Sequence, residues 1–200
     1  MELDKIIVSR HSIREYANKD IDYKLIGKIL DIAKNAPSTS NVQNCRFIIV
    51  KDNKAREKIA MACLDQLWMT SAPMHLVICY DERNIKTVFP KEYIEYSIQN
   101  ASIIATLIML KATELNLGTC WVAISDHKLI ASILKLPDFI IPSVVITMGY
   151  PSGHYKKTKR NSIEILTHFE AYGKKQVDTS TFPLSKYAKK LESKIKSKTK

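Results

Sequence analysis

Asn35-Ala36-Pro37-Ser38-Thr39-Ser40-Asn41-Val42-Gln43-Asn44-Cys45-Arg46 is a polar stretch that ends where the apolar run of residues 47–50 begins. Pro37 predicts the end of the preceding helix, because its ring restricts Ala36 and it has no N–H donor. Six of the seven side chains at positions 38–44 carry a hydroxyl or an amide. This density suits a loop that grips a planar polar ligand, and it is also typical of an ordinary surface loop with capping and turn residues. Both interpretations stay open on this stretch alone.

Hydrophobic periodicity on both sides of this loop predicts helices that alternate with short strands. Asp22 is expected to cap the amphipathic helix that Pro37 ends. A charged helix should follow the first strand, with Leu64 and Leu67 on its inner face. Residues 92–116 predict one long helix, apolar on nearly all sides between 98 and 110, that ends at a left-handed Gly118. The other apolar runs predict strands at residues 47–50, 75–80, 119–124 and 143–148, a helix that Asp126 starts, and a last packed segment at 163–169.

The composition indicates one domain with a real core, since the chain has 200 residues and 46% hydrophobic content. The formal net charge of +11 is concentrated at the end of the chain. Residues 173–200 carry nine lysines against two acidic residues. We interpret them as a lysine-rich arm or frayed tail, and we expect no nucleic-acid partner.

The four cysteines stand singly, so neither a zinc site nor a disulfide framework is predicted. The first residues are acidic and lack the apolar core of a signal peptide. The longest apolar stretch, 101–110, is too short to cross a bilayer. We therefore expect a soluble cytoplasmic protein with no membrane association.

Arg10 and Arg14 are the first candidates for a chemical role. Four positions apart, they share one side of a helix and also one side of an extended segment, so both can reach a single dianion. Ser12 adds a hydroxyl between them. The alternative interpretation is a solvated basic face with Ile13 in the core.

Several enzyme classes lack their parts in this sequence. Its five glycines form no dinucleotide-binding or Walker loop, and it has no zinc motif, paired carboxylates or nucleophile elbow. What remains suits a bound cofactor that itself carries the reaction, positioned by arginines, hydroxyls and amides.

Four segments, in this order, resemble the FMN-dependent nitroreductase family. They are Arg10-His11-Ser12-Ile13-Arg14, then Ala36-Pro37-Ser38-Thr39-Ser40-Asn41-Val42-Gln43, then Leu117-Gly118-Thr119-Cys120-Trp121, and Met148-Gly149-Tyr150-Pro151 before a basic cluster. The resemblance implies an α+β fold with a mostly antiparallel central sheet flanked by helices, a long buried core helix and an extended C-terminal arm. The domain would span residues 1–172 and the extension 173–200. It also implies an obligate homodimer with two flavin sites across the subunit interface.

The resemblance also assigns the flavin phosphate. Arg10 and Arg14 would hold the FMN phosphate with Arg160, while His11 and Ser12 approach the phosphate and the pyrimidine side. Family members often have a second basic residue where this chain has Thr158, so Lys157 or Lys159 is the expected substitute.

The flavin ring would be held by further residues that the resemblance implies. From the other subunit would come the side chains of Ser38, Thr39 and Asn41. Pro37 would lie near the ring and Gln66 would face its polar edge. Main-chain N–H groups near Ala123 and Ile124 would point at flavin N5.

The resemblance implies a two-step oxidoreductase. NADH or NADPH would bind over the FMN, pass a hydride to N5 and leave. An acceptor such as a nitroaromatic or quinone would then bind at the same position. This scheme needs no side-chain acid or base and no metal. The alternatives are a dehalogenase-like or flavin-processing member of the family, or a non-catalytic binder of flavin, anions or nucleic acid.

Overall fold

The structure, a computed structural model, describes residues 2–153, 155 and 158–174. Its contacts divide the chain into a first unit that ends at Tyr155 and a second that begins at residue 156. The elements of the first unit are α1 (Leu3–Ser9), α2 (Tyr23–Ala33), β1 (Cys45–Val50), α3 (Asn53–Met61), β2 (Met74–Asp81), α4 (Glu82–Val88), α5 (Tyr93–Glu114), β3 (Gly118–Val122), α6 (His127–Ile133) and β4 (Ile140–Gly149). The described part of the second unit contains α7 (Ile163–Leu166).

The four strands form one sheet in the order β1-β2-β4-β3, and every neighbouring pair is antiparallel. Successive side chains of β2 point to opposite faces, and both faces are buried. Leu76 and Ile78 face a core built with α2 and α5, whereas Val77 and Cys79 face a second core built with α3 and α6. The predicted α+β fold, with an antiparallel sheet flanked by helices, is confirmed.

Helix α5 matches the predicted long helix within two residues at each end, but it is not buried on all sides. Ala101, Ala105 and Ile108 pack into the core without exposure. Ile94 and Ile98 are each 48% exposed, and Ile103 is 39% exposed. The apolar residues that do not fit in the core therefore lie on more than one side of α5; the outer surface of this helix, which also carries Ser102 and Thr106, is called the α5 stripe.

Two local predictions are wrong. Gly118 does not end α5 in the left-handed conformation; Asn116 does so, at φ 59°, and Gly118 begins β3. Helix α3 ends at Met61, so Leu64 and Leu67 lie outside it and are 72% and 55% exposed. Left-handed backbone at Leu64 turns the chain out of the helix and away from the core.

The remaining predictions concern the end of the chain, membrane-spanning helices and metal sites. The segment 163–169 contains α7, whose Ile165 and Leu166 are exposed rather than packed. Of the extension 173–200, only residues 173 and 174 are described, so the domain boundary at 172 stays a prediction. No helix in the described ranges is both long and apolar enough to cross a membrane. Those ranges also contain no group of three His, Cys, Asp or Glu residues placed to hold a metal ion.

Candidate functional site

Residues 10–14, called the arginine segment, are extended. Helix α1 ends at Ser9, and Ser12 then forms a parallel bridge with Thr119 of β3. The Ile13 N–H donates to the Thr119 carbonyl at 2.9 Å. Because side chains alternate along an extended chain, Arg10, Ser12 and Arg14 share one side and Ile13 takes the other.

Two glycines allow this segment to lie so close to the sheet. A Cβ at Gly118 would come within 2.8 Å of Ile13 Cγ1. A Cβ at Gly149 would come within 2.7 Å of Tyr16 Cδ1 and 2.6 Å of Pro73 Cδ. Real Cβ atoms do not approach carbon atoms so closely, so a side chain at either glycine would force these neighbouring side chains to shift.

The arginine pair supplies two guanidinium groups to this segment. Within the described residues, neither Arg10 nor Arg14 forms an ion pair with a carboxylate, whereas Arg46 and Arg83 both bind Asp81. Two guanidinium groups and the Ser12 hydroxyl form a donor set that fits a dianionic phosphate.

The thiol of Cys120 lies beneath this donor set. Burial raises the pKa of Cys120, although Arg14 and Ser12 beside it act in the opposite direction. The thiol therefore stays neutral and adds no negative charge that would repel an anion.

His11 lies at the same end of the molecule. Its Nδ1 donates to the Ser9 carbonyl, and its ring centroid lies 5.0 Å from that of Tyr155. The predicted phosphate ligands of the first unit are thus neighbours along one short segment.

Gln66 is connected to this segment through a tryptophan. Its Oε1 accepts from Trp68 Nε1 at 3.2 Å, and its Nε2 donates to the Cys63 carbonyl at 2.9 Å. The guanidinium carbon of Arg14 lies 5.6 Å from the centroid of the Trp68 ring, within the range of a cation–π contact. The Gln66 amide is thereby fixed, with one N–H left for a ligand.

Ala123 and Ile124 lie beside the Gln66 loop. The backbone N–H groups of Ser125 and Asp126 donate to the Ala62 carbonyl at 3.0 and 3.1 Å. Ser125 Oγ donates to the same carbonyl at 2.8 Å. Ala123 is exposed, so the backbone at this position borders an open surface.

The polar loop is held by α5. Thr39 N–H donates to Asn100 Oδ1 at 3.0 Å, and Gln43 N–H donates to Ser38 Oγ at 3.1 Å. Asn41 Oδ1 accepts from Gln43 Nε2 at 2.9 Å. Left-handed backbone at Ser40, Asn41 and Gln43 gives the loop a shape that non-glycine residues rarely adopt, and such strain is concentrated at functional sites.

A cavity of about 160 Å³ opens beside this loop. Pro37, Ser38 and Asn100 line it together with the apolar side chains of Phe47 and Ile104. The combination of a few amides and hydroxyls with apolar walls is typical of a small-molecule site.

The structure does not bring the arginine segment and the polar loop together within one chain. Thr119, which binds the arginine segment, pairs with Met148 of β4, and Met148 pairs on its other side with Met74. Thr119 therefore lies at the end of the sheet where β2 begins. Asn44 ends the polar loop and accepts from the N–H of Asp81, the last residue of β2. The eight residues of β2 span about 24 Å. The arginine segment and the polar loop therefore lie at opposite ends of the sheet.

Arg160 belongs to the second unit and is exposed. Thr158 and Lys159 are exposed as well, whereas Lys157 lies outside the described residues. The role of Arg160 at the phosphate stays a prediction.

Sequence reasoning missed the residues that hold these loops in place. Asn100 had a visible signal, because an amide inside an apolar helix needs a buried partner. Trp68, Ser125 and Tyr16 had none, since each also contacts a residue that is distant in sequence and is brought close only by the fold, namely Arg14, Ala62 and Thr147.

Comparisons with known proteins agree with this architecture. The model of the nitroreductase family matches residues 7–89 and 64–150. A relative from Methanothermobacter thermautotrophicus is 30% identical over 156 residues, which cover 76% of this chain and 78% of that relative. The FMN reductase [NAD(P)H] of Bacillus subtilis is 24% identical over 185 residues, covering 86% of this chain and 74% of its own.

A solved structure supports the same relationship. An FMN-dependent nitroreductase from Clostridium difficile R20291 has a TM-score of 0.71 and 27% identity, covering 84% of this chain and 98% of that one. The resemblance inferred from four sequence motifs is confirmed. The chain therefore belongs to the nitroreductase family.

Proposed function

We propose that this oxidoreductase is an FMN-dependent homodimer that oxidises NADH or NADPH and reduces small acceptors such as nitroaromatics or quinones in a ping-pong sequence. The observation that carries the proposal is the donor set of Arg10, Ser12 and Arg14. It combines two guanidinium groups, which form no ion pair with a carboxylate of the described residues, and one hydroxyl on the same side of an extended segment. When bound, FMN supplies the redox chemistry, because its N5 takes a hydride from the nicotinamide and gives it to the acceptor.

The residues of the arginine segment would bind the phosphate. Arg10 and Arg14 neutralise its charge, Ser12 donates a hydrogen bond, and His11 lies beside them. Arg160, with Lys157 or Lys159, is proposed as a further ligand of the phosphate. A phosphate held at several points fixes the orientation of the whole cofactor.

Other groups would bind the ring. The fixed Gln66 amide offers one N–H to its polar edge, and main-chain N–H groups at Ala123 and Ile124 would point at N5. Pro37 and the side chains of Ser38, Thr39 and Asn41 would approach from the second subunit. In this proposal the chain orients the cofactor and excludes water, and no side chain acts as acid or base.

A second copy of the chain is supported by two features. The polar loop lies at the other end of the sheet from the arginine segment, so one copy alone does not surround a ligand. The α5 stripe and the neighbouring α1 present six large apolar side chains, namely Leu3, Ile7, Val8, Ile94, Ile98 and Ile103. An apolar surface of this kind is typical of a subunit interface.

The hydroxyls on the α5 stripe fit the same interpretation. Ser102 Oγ donates to the Ile98 carbonyl at 2.8 Å, and Thr106 Oγ1 donates to the Ser102 carbonyl at 2.9 Å. Because each hydroxyl proton is used within the helix, the stripe can be covered without leaving these donors unpaired.

An absorbance spectrum of the purified protein tests the proposal. We expect the visible absorbance bands of oxidised flavin. Without oxygen, NADH or NADPH should bleach these bands. After the nicotinamide is removed, the bands should return only when an acceptor is added. Protein that stays colourless after incubation with FMN would overturn the proposed function. A bound flavin that neither nicotinamide reduces would leave FMN binding intact and overturn the enzymatic scheme.

A further inference from the structure

Tyr16 is a buried phenol behind the arginine segment. It is 7% exposed, and its ring lies against Gly149. Its hydroxyl points inward, to the backbone of the segment on one side and to β4 on the other. A tyrosine with its hydroxyl in the interior needs hydrogen-bond partners there.

The partners determine the direction of each bond. Tyr16 Oη lies 2.6 Å from the Ile13 carbonyl oxygen and 2.7 Å from Thr147 Oγ1. A phenol has one proton, and a carbonyl oxygen only accepts, so Tyr16 donates to Ile13 and Thr147 donates to Tyr16. Burial raises the pKa of Tyr16 well above its usual range, so the hydroxyl keeps its proton at any working pH.

Ile13 is thereby fixed from three sides. Its N–H donates to the Thr119 carbonyl at 2.9 Å, its carbonyl accepts from Tyr16, and its side chain packs against Gly118. Ile13 lies between Ser12 and Arg14, whose side chains point the other way. A rotation of the Ile13 peptide would therefore redirect both proposed phosphate ligands.

We infer that Tyr16, supported by Thr147, is a positioning residue that gives the protein its preference for a phosphorylated flavin over the same flavin without phosphate. This inference rests on the proposed function. The hydroxyl chain Thr147–Tyr16–Ile13 touches no ligand itself, and it holds Ser12 and Arg14 in the direction from which they meet the phosphate. In the proposed site Ser12 and Arg14 bind the phosphate, so the phosphate end of the ligand depends on this hydroxyl chain most.

The test compares binding of FMN and riboflavin to full-length variants. Tyr16→Phe keeps the ring and removes the hydroxyl, and Thr147→Val removes the donor to it at similar volume. Tyr80→Phe is the matched control, because Tyr80 is also buried but lies near the last residue of β2, whereas the arginine segment lies at the end of the sheet where β2 begins. Affinities are measured by quenching of flavin fluorescence, and folding is checked by thermal unfolding.

We expect Tyr16→Phe to weaken FMN binding about tenfold, the effect of one lost buried hydrogen bond, with riboflavin affinity unchanged. Thr147→Val should lower the FMN-to-riboflavin preference less, and Tyr80→Phe should leave it at the wild-type value. An unchanged preference in Tyr16→Phe, or equal weakening of both ligands, would overturn the inference while the proposed function stands. Wild-type protein without any preference for FMN would overturn the phosphate site itself, and the inference with it.

Discussion

Asn100 Oδ1, in the middle of α5, accepts a hydrogen bond from the backbone N–H of Thr39 at 3.0 Å. Asn100 is 3% exposed, and its Nδ2 donates to Asn44 Oδ1 at 3.0 Å. Asn44 in turn donates to Ser97 Oγ at 2.9 Å. One buried amide network thus fixes both ends of the polar loop to the helix that carries the α5 stripe.

Asn100→Leu should therefore loosen the polar loop and destabilise the protein. The substitution leaves the Thr39 N–H and Asn44 Oδ1 without partners, and we expect the free energy of unfolding to fall by about 2–4 kcal/mol. Urea denaturation measures it. Ser102→Ala, on the exposed side of the same helix, is the control and should change stability by no more than about 0.5 kcal/mol. Equal losses in the two variants would contradict this role of Asn100.

Arg10→Ala combined with Arg14→Ala should yield folded protein that releases FMN. Each charge-assisted hydrogen bond contributes about 1.5–3 kcal/mol, so FMN affinity should fall about a hundredfold or more. Riboflavin, which lacks the phosphate, should bind as before, as fluorescence titration will show. The control Lys24→Ala with Lys28→Ala removes the same charge from the exposed side of α2. A similar loss of FMN affinity in that control would indicate a long-range charge effect instead of direct contact.

The sequence predicts the elements well because each depends on local signals. Asp22 caps α2 and Asp126 caps α6, where their side chains accept from backbone N–H groups as expected. Periodicity also places all four strands. These features follow from the conformational preference of short segments, which neighbouring residues determine.

The wrong predictions concern features that contacts between distant parts of the chain determine. Nothing near Leu64 in sequence shows that the helix ends at Met61, since the Ser125 hydroxyl stabilises that turn by accepting from the Leu64 N–H at 3.1 Å. The apolar run in α5 predicts burial, but it does not show which of its residues the core can accommodate. Of the candidate site, the motif residues were visible in sequence, and the residues that orient them required the fold.

The buried His75 should make stability depend on pH. Burial lowers the pKa of His75 to about 4 from 6.5, and the charge of Arg56 acts in the same direction. Between these values the unfolded chain binds more protons than the folded one, so stability is full above about pH 6.5 and lost as the pH falls towards 4. The expected loss is about 3 kcal/mol, measured by urea denaturation at several pH values.

His75→Gln should flatten this dependence between pH 6.5 and 4. Asp81, whose pKa is lowered mainly by its hydrogen bond with Arg83, loses its contribution only at lower pH. A variant with the same slope as the wild type would show that another group controls stability in this range.

Ile98→Glu should separate the subunits. A carboxylate at this exposed position of α5 would have to lose its water when the second copy covers it, so we expect the dimer dissociation constant to rise at least about a hundredfold. Light scattering after size exclusion measures the mass, and Leu129→Glu on α6 is the control for a charge on another exposed apolar residue. Dimers that persist in Ile98→Glu would exclude the α5 stripe as the interface.

Flavin content of a mixed dimer tests the central claim most directly. One chain carries Arg10→Ala with Arg14→Ala, the other carries alanine at Ser38, Thr39 and Asn41, and two different affinity tags isolate the heterodimer. If each site combines the arginine segment of one copy with the polar loop of the other, the heterodimer keeps one intact site. We predict about one tightly bound FMN per heterodimer and little in either parent homodimer. A heterodimer as empty as its parents would contradict a site shared between two copies.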